Sequence, residues 1–187
     1  MVNSRGQVEH EMSCLNEVAL NRGLNPQMCK LDLYLDGLLL AQTSGDGLLI
    51  STPTGSTAYS LAAGGSILHP QVEVIQIVPI APHSICSRPI VVKDEAEIEL
   101  RLNEKARNRV IVTGDGINSF QLKKGAKLVI KKAEFPLKIV YKKGVKKEVK
   151  EEEEKESDWL KTFFWGELLN KKKNECKSQL NPCKIEK

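Results

Sequence analysis

Between Lys30 and Tyr141 the apolar residues come in short runs, each the length of one strand, with Gly, Asp or Pro standing between them. A chain punctuated this way has no room for long packed helices and must pair short strands. Lys30 to Gln42 alternates, with Leu31, Leu33 and Leu35 pointing one way and Asp32 and Tyr34 the other. Asp36-Gly37 follows, then Leu38-Leu39-Leu40, which predicts a β-hairpin closed by a turn that Gly permits. Leu48–Ile50, Val74–Pro79, Pro89–Val92, Ala96–Leu102, Arg109–Thr113, Ser119–Leu122, Lys127–Lys131 and Leu137–Tyr141 read as further strands. Residues up to about Val18 read as the entry into a domain already under way. The expected class is mainly β, a β-sandwich-like domain over residues 1–141.

Composition sets bounds around that domain. The 187 residues suffice for one domain with a core plus a tail. No apolar run approaches the roughly 20 residues that cross a bilayer, and no apolar stretch of a signal peptide follows Met1–Gly6. Cys14, Cys29, Cys86, Cys176 and Cys183 are scattered, make no Cys-x-x-Cys pair, and share no ligand spacing with the three histidines. They read as free thiols of a reducing compartment, hence a cytoplasmic protein. The net charge of +4 is mild, and many lysines lie among glutamates in the tail, so no nucleic-acid stripe is formed. Residues 142–156 are nearly all Lys and Glu and read as a solvated linker. Residues 157–175 read as an amphipathic helix, with Ser157 as N-cap and Trp159 and Phe163 on one face. Residues 176–187 read as a flexible tail.

One stretch breaks the strand pattern. Ser44-Gly45-Asp46-Gly47 leads into Leu48-Leu49-Ile50 and then Ser51-Thr52-Pro53-Thr54-Gly55-Ser56-Thr57-Ala58-Tyr59-Ser60-Leu61-Ala62-Ala63-Gly64-Gly65. The order is strand, loop, short helix, glycine stop. Pro53 and Gly55 fix a tight loop. The helix is predicted to begin near Ser56 or Thr57 and to end before Gly64-Gly65. Its first N–H groups lack intrahelical partners, and the hydroxyls of Thr52, Thr54, Ser56 and Thr57 surround that end. The helix dipole favours an electron-rich group there, such as a ribose, a purine edge or a phosphate. The same residues also fit a plainer arrangement, in which one hydroxyl caps the helix and the others fill a turn. Chemistry alone leaves the ligand unnamed.

Gly45-Asp46-Gly47 followed by Ser51-Thr52-Pro53-Thr54-Gly55-Ser56-Thr57-Ala58-Tyr59 closely resembles the signature block of NAD kinases. Other pieces fall in family order: Leu15-Asn16-Glu17-Val18 upstream, then Gly64-Gly65, His69-Pro70, Pro79-Ile80-Ala81-Pro82-His83-Ser84, Arg88-Pro89-Ile90-Val91 and Asp115-Gly116. Ser157-Asp158-Trp159 resembles the end of eukaryotic cytosolic members. The resemblance covers about Leu15 to Val140. It implies the β-rich C-terminal domain of the NAD kinase fold, with a short helix after the Thr-Pro-Thr-Gly-Ser-Thr loop and the N-terminal α/β domain absent.

The family transfers a phosphoryl group from ATP to the 2′-hydroxyl of the adenosine ribose of NAD, giving NADP, with Mg²⁺ or another divalent metal. By resemblance, Asn16 and Glu17 meet the NAD ribose and adenine. Thr54, Thr57, Ala58 and Tyr59 line the adenosine pocket. Asp46 and Ala81 contact the dinucleotide from a neighbouring subunit of a homo-oligomer, a dimer or tetramer, and His83 lies in the same loop as Ala81. Ala62 stands where some bacterial members have a serine. The residue types suit these roles: an amide both donates to and accepts from a purine edge, and an ionised Asp accepts from hydroxyls. Tyr59 offers a flat apolar face with a polar tip. Each also has a bland alternative: Asn16 and Asp46 as turn residues, Glu17 as a surface charge, Tyr59 as half-buried core, His83 as a plain loop residue.

Family members carry an upstream Gly-Gly-Asp-Gly loop whose aspartate is the candidate general base. Only fifteen residues precede Asn16, and none supplies that motif. The family's catalytic aspartate is thus expected to be missing from this chain, and no protein metal site is expected in it. The expected function is the NAD-binding and assembly half of an NAD kinase, with NAD and ATP as partners and neither nucleic acid nor membrane. The alternative is a non-catalytic dinucleotide-binding or oligomerisation fragment of the same family. The Thr-Pro-Thr-Gly-Ser-Thr-Ala-Tyr block disfavours a lipid kinase of related fold, and the lack of a Gly-x-Ser-x-Gly elbow disfavours a serine hydrolase.

Overall fold

A computed structural model describes residues 1–84, 87–106 and 109–138, together with the main chain of residues 183–186. Its strands are β1 (Met12–Cys14), β2 (Glu17–Asn21), β3 (Cys29–Leu35), β4 (Leu38–Gly45), β5 (Gly47–Ser51), β6 (Val74–Ile80), β7 (Ile90–Lys93), β8 (Ile98–Leu102), β9 (Val110–Gly114), β10 (Asn118–Leu122), β11 (Lys127–Lys132) and β12 (Cys183–Glu186). They form two six-stranded antiparallel sheets, ordered β1-β12-β11-β8-β3-β4 and β10-β9-β2-β5-β6-β7. The mainly β sandwich expected from the sequence is the fold.

One core lies between the sheets. Leu31 and Leu33 of β3, Ile98 and Leu100 of β8, and Leu128 and Ile130 of β11 meet Val18 and Leu20, Leu48 and Ile50, Ile75 and Ile77, and Val110 and Val112. Alternation along each strand sends the intervening residues to the outer faces. On the second sheet that outer face is itself covered at its centre. Ala19, Leu49 and Val78 form a small second cluster, with Ala63 and Ile80 packed on it. As a result β5 is buried along its whole length.

The hairpin at Asp36-Gly37 forms as expected. Both residues have positive φ, 48° and 80°, the geometry that an Asp-Gly turn between twisted strands requires. Three differences from the sequence reading have physical causes. β2, read only as the entry to the domain, is a central strand. Because it is covered on both faces, Val18-Ala19-Leu20 shows no alternation to detect. β12 forms in the stretch read as a flexible tail, pairing with β1 and β11; long-range pairing leaves no local signal in Cys-Lys-Ile-Glu. The helix after the Ser51–Thr54 loop is two pieces, a 3₁₀ turn at Thr54–Thr57 and a single α-helical turn, α1, at Tyr59–Ala62. Ala58 breaks them at φ −94°, ψ −130°. The charged linker at 142–156, the amphipathic helix at 157–175 and most of the Leu137–Tyr141 strand lie outside the described residues.

Candidate functional site

The site is built at the end of β5, where the chain leaves the second sheet. Asn16 and Glu17 lie at the start of β2, and Glu17 pairs with Ser51 in the antiparallel register. Thr52 then turns the chain across this junction. Its N–H donates to the Asn16 carbonyl at 2.9 Å. Its hydroxyl donates to the Leu15 carbonyl at 2.7 Å and accepts the Gly55 N–H at 3.0 Å. Gly55 packs so closely that a Cβ there would stand 2.0 Å from the Asn16 carbonyl oxygen. No side chain fits in that gap, which is why the loop needs glycine at this position.

The four hydroxyls expected around a helix start divide into two kinds. Thr52 and Ser56 are buried and act on the main chain: the Ser56 hydroxyl donates to Pro53 O at 2.6 Å and accepts the Leu68 N–H at 3.0 Å. Thr54 and Thr57 are half-buried, and the Thr57 hydroxyl donates to Thr54 O at 3.3 Å. The dipole reasoning fails here, since a single α turn aligns too few peptides to sum into a macrodipole, and no side chain caps it. Thr52 instead serves the plainer role, satisfying a loop N–H.

Beyond the turn, Tyr59 is 45% exposed. Ala58 is half-buried and Ala62 exposed. This segment is pinned from below by Gln76 of β6, a fully buried amide. Its Nε2 donates to Ser60 Oγ at 2.9 Å and its Oε1 accepts the Ser66 N–H at 2.8 Å. Gln76 escaped the sequence reading, although a lone amide inside the apolar run Val74–Ile80 was a visible signal.

Glu17 is 9% exposed, not a surface charge, and its Oε2 is buried without a hydrogen-bond partner. Burial, reinforced by the nearby Asp115 carboxylate, raises its pKa above the usual Glu range. Asp115 itself, in the turn between β9 and β10, accepts the N–H groups of Leu15, Asn16 and Glu17 at 2.6, 2.8 and 3.0 Å. The sequence reading placed Asp115-Gly116 in family order but gave it no task.

Asp46, Ala81 and His83 gather at the opposite end of β5. The Asp46 N–H donates to Ile80 O at 2.9 Å and the His83 N–H to Ser44 O at 2.8 Å. Six residues of extended chain from Asp46 to Thr52 put the two groups about 20 Å apart along the strand. The Asp46 carboxylate pairs with Arg22 at 2.9 Å, both side chains being partly exposed. Cys29 donates its thiol to Asp46 O at 3.5 Å, and burial pushes that thiol up to about 11, so it stays protonated. Ala81 is exposed and has a positive φ of 43°. The ten candidates thus form two groups: Asn16, Glu17, Thr54, Thr57, Ala58, Tyr59 and Ala62 in one, Asp46, Ala81 and His83 in the other. Among the described residues no three His, Cys, Asp or Glu side chains are grouped so that they could hold a metal ion. No described helix is long and apolar enough to cross a membrane.

Comparison with known proteins agrees with this architecture. The family model for the ATP-NAD kinase C-terminal domain matches residues 15–142. The chain is 38% identical over 162 residues to the probable NAD kinase 2, chloroplastic, of Oryza sativa subsp. japonica, covering 84% of this chain and 16% of that protein. It is 41% identical over 145 residues to the NAD kinase of Acinetobacter baylyi, covering 76% and 46%. Among solved structures, yeast NADH kinase complexed with NADH matches with a TM-score of 0.58 at 38% identity, over 62% of this chain and 33% of the other. An NAD kinase from Archaeoglobus fulgidus in complex with ATP matches with a TM-score of 0.59 at 32% identity, over 66% and 47%. The chain spans less than half the length of each of these relatives.

Proposed function

The chain belongs to the ATP-NAD kinase C-terminal domain family, and from that premise we propose that it supplies the NAD-binding and assembly half of an enzyme that phosphorylates the 2′-hydroxyl of the adenosine ribose of NAD, using ATP, to give NADP. The observation that carries this reading is the ordered junction at the end of β5. There Thr52 and Gly55 hold the Leu15–Asn16 main chain while Asn16, Thr54, Thr57 and Tyr59 keep side-chain surface open.

In this reading Asn16 and Glu17 meet the adenosine, Thr54, Thr57 and Ala58 line its pocket, and Tyr59 packs its ring on the base or ribose. Ala62 borders the same pocket without a hydrogen bond to offer. Asp46 and Ala81, with His83 beside them, serve a nucleotide bound by a neighbouring subunit of a homo-oligomer; the roughly 20 Å between the two groups favours this division over one shared pocket. A divalent ion would arrive with the phosphates of ATP, whose oxygens are its ordinary ligands. The general base and phosphate loop would come from an α/β domain that the 187 residues do not contain. In this reading the chain works in a reducing, cytoplasmic compartment, which suits the scattered cysteines of its sequence.

The test is kinetic, in an enzyme that carries this chain together with an α/β domain. Tyr59→Ala and Asp46→Ala should raise the KM for NAD while lowering the melting temperature little. The Asp46 side chain makes a partly exposed ion pair with Arg22, of a kind that contributes about 0–1 kcal/mol, and its main-chain hydrogen bonds survive the substitution. A large loss of melting temperature with an unchanged KM would sink the assignment.

A further inference from the structure

We propose that Asp115 is a positioning residue of the nucleotide site: its carboxylate fixes the main chain of Leu15–Glu17 and so sets how Asn16 and Glu17 are presented. The inference rests on the reading above, in which Asn16 and Glu17 face the nucleotide.

Three successive N–H groups converge on this one carboxylate. Leu15 donates to Oδ2 at 2.6 Å, and Asn16 and Glu17 donate to Oδ1 at 2.8 and 3.0 Å. Bonds to an ionised acceptor are stronger than neutral ones, and consecutive N–H groups aimed at an anion form a preorganised cradle. Asp115 also donates its own N–H to Glu17 O at 3.1 Å, extending the β2–β9 ladder one residue past the end of β9. To do this it adopts a φ of 46°, a left-handed conformation that side chains other than those of Gly, Asn and Asp rarely enter.

The opposite side of the same segment is held from β5. There Thr52 donates its N–H to Asn16 O and its hydroxyl to Leu15 O. Asp115 therefore takes the N–H side and Thr52 the C=O side, and the two peptides between them are fixed in both directions. Asp115 is about a hundred residues away in sequence, yet without it the bracket would be one-sided. An asparagine cannot replace it fully. It offers one acceptor oxygen, and its amide NH₂ would face an N–H.

Asp115 does a second thing to Glu17. Across β2 from the Asp115 side stands uncharged Ser51 of β5, so the charge that acts on the Glu17 carboxyl is that of Asp115. Removing it lets Glu17 ionise at lower pH. If ionised Glu17 accepts from a ribose hydroxyl, the acid limb of NAD binding moves to lower pH with it.

The experiment is calorimetric titration of the purified full chain with NAD. Asp115→Asn is expected to weaken binding about tenfold, the scale set by losing one hydrogen bond to a charged group, and to shift the acid limb downward. Val112→Ala loosens β9 from the core without touching the cradle, so it should lower the melting temperature and leave NAD affinity unchanged. Should Asp115→Asn fail to fold, Asp115→Glu carries the same test, because it keeps the charge but displaces the carboxylate; it too should bind less tightly. Wild-type affinity in either variant overturns the proposal, provided Asn16→Ala does weaken binding. If Asn16→Ala binds like wild type, or the wild-type chain binds no NAD, the underlying reading of the site fails and this inference fails with it.

Discussion

At the scale of single residues, Glu17 is where structure and function pull in opposite directions. Its Oε2 is buried with no partner, and burial followed by the Asp115 charge raises its pKa. A carboxyl whose folded pKa lies above its unfolded value contributes stability that is complete below the unfolded value, about 4.3. That contribution is lost as pH rises through the folded pKa. At pH above the unfolded value the buried carboxyl therefore costs the fold stability. Glu17→Gln should raise the melting temperature near neutral pH by about 2–4 °C, with little change below about pH 4, and should weaken NAD binding. Calorimetric melts at both pH values check this; a fall in melting temperature near neutrality would mean that the carboxylate has a stabilising partner. The sequence showed Glu17 beside Asn16 but could not show its burial, because that depends on Ser51 and Asp115, which lie 34 and 98 residues further along the chain.

At the scale of elements, the segment from Thr52 to Gly65 is shaped by contacts with main chain rather than by helix propensity. Gly55→Ala would drive a methyl group against the Asn16 carbonyl and Cα, at 2.0 and 2.7 Å. Backbone cannot swing aside as a flexible side chain can, so the substitution should cost about 1–3 kcal/mol and push Asn16 out of place. Gly64→Ala makes a useful contrast. Gly64 has a φ of 85° with open space around its Cβ position, so alanine there strains only its own backbone, by about 1–2 kcal/mol. Both variants should melt earlier in denaturant titrations, but only Gly55→Ala should weaken NAD binding. Equal binding by the two would mean that the Gly55–Asn16 contact does not shape the site. The strands on either side of this segment, β5 and β6, were legible as short continuous apolar runs. The break at Ala58 was not, since nothing in Thr-Ala-Tyr forbids a continuous helix; the loop is held apart by Thr52, Ser56 and Gln76.

At the scale of the molecule, the first sheet ends in β4, an edge strand whose Leu38, Leu39 and Leu40 are 76%, 53% and 43% exposed. An apolar edge with unpaired backbone groups is a template for association. The purified chain should therefore form a homo-oligomer at micromolar concentration, and Leu39→Lys should shift it toward monomer. Light scattering behind size exclusion is the measurement. A monodisperse wild-type monomer across that range would remove both the edge from consideration and the basis for a site completed by a neighbour.

What the sequence by itself determined is the run of strands from β3 to β11, the Asp36-Gly37 hairpin, the family, and the identity of the residues that cluster around the Thr-Pro-Thr-Gly-Ser-Thr loop. These are properties of short stretches: alternation, turn chemistry and each single motif are read from neighbouring residues, and the order of the motifs is read directly along the chain. Only the tertiary structure decided that β2 is a central strand, that Cys183–Glu186 pairs between β1 and β11, and that the candidates separate to the two ends of β5. It also decided that Asp115 reaches back to Leu15, Asn16 and Glu17. Each of these depends on a hydrogen bond or burial between segments far apart in the chain. A carboxylate or a carbonyl carries no mark in the sequence of which distant partner it will meet; that is fixed only when the sheets pair and the core closes between them.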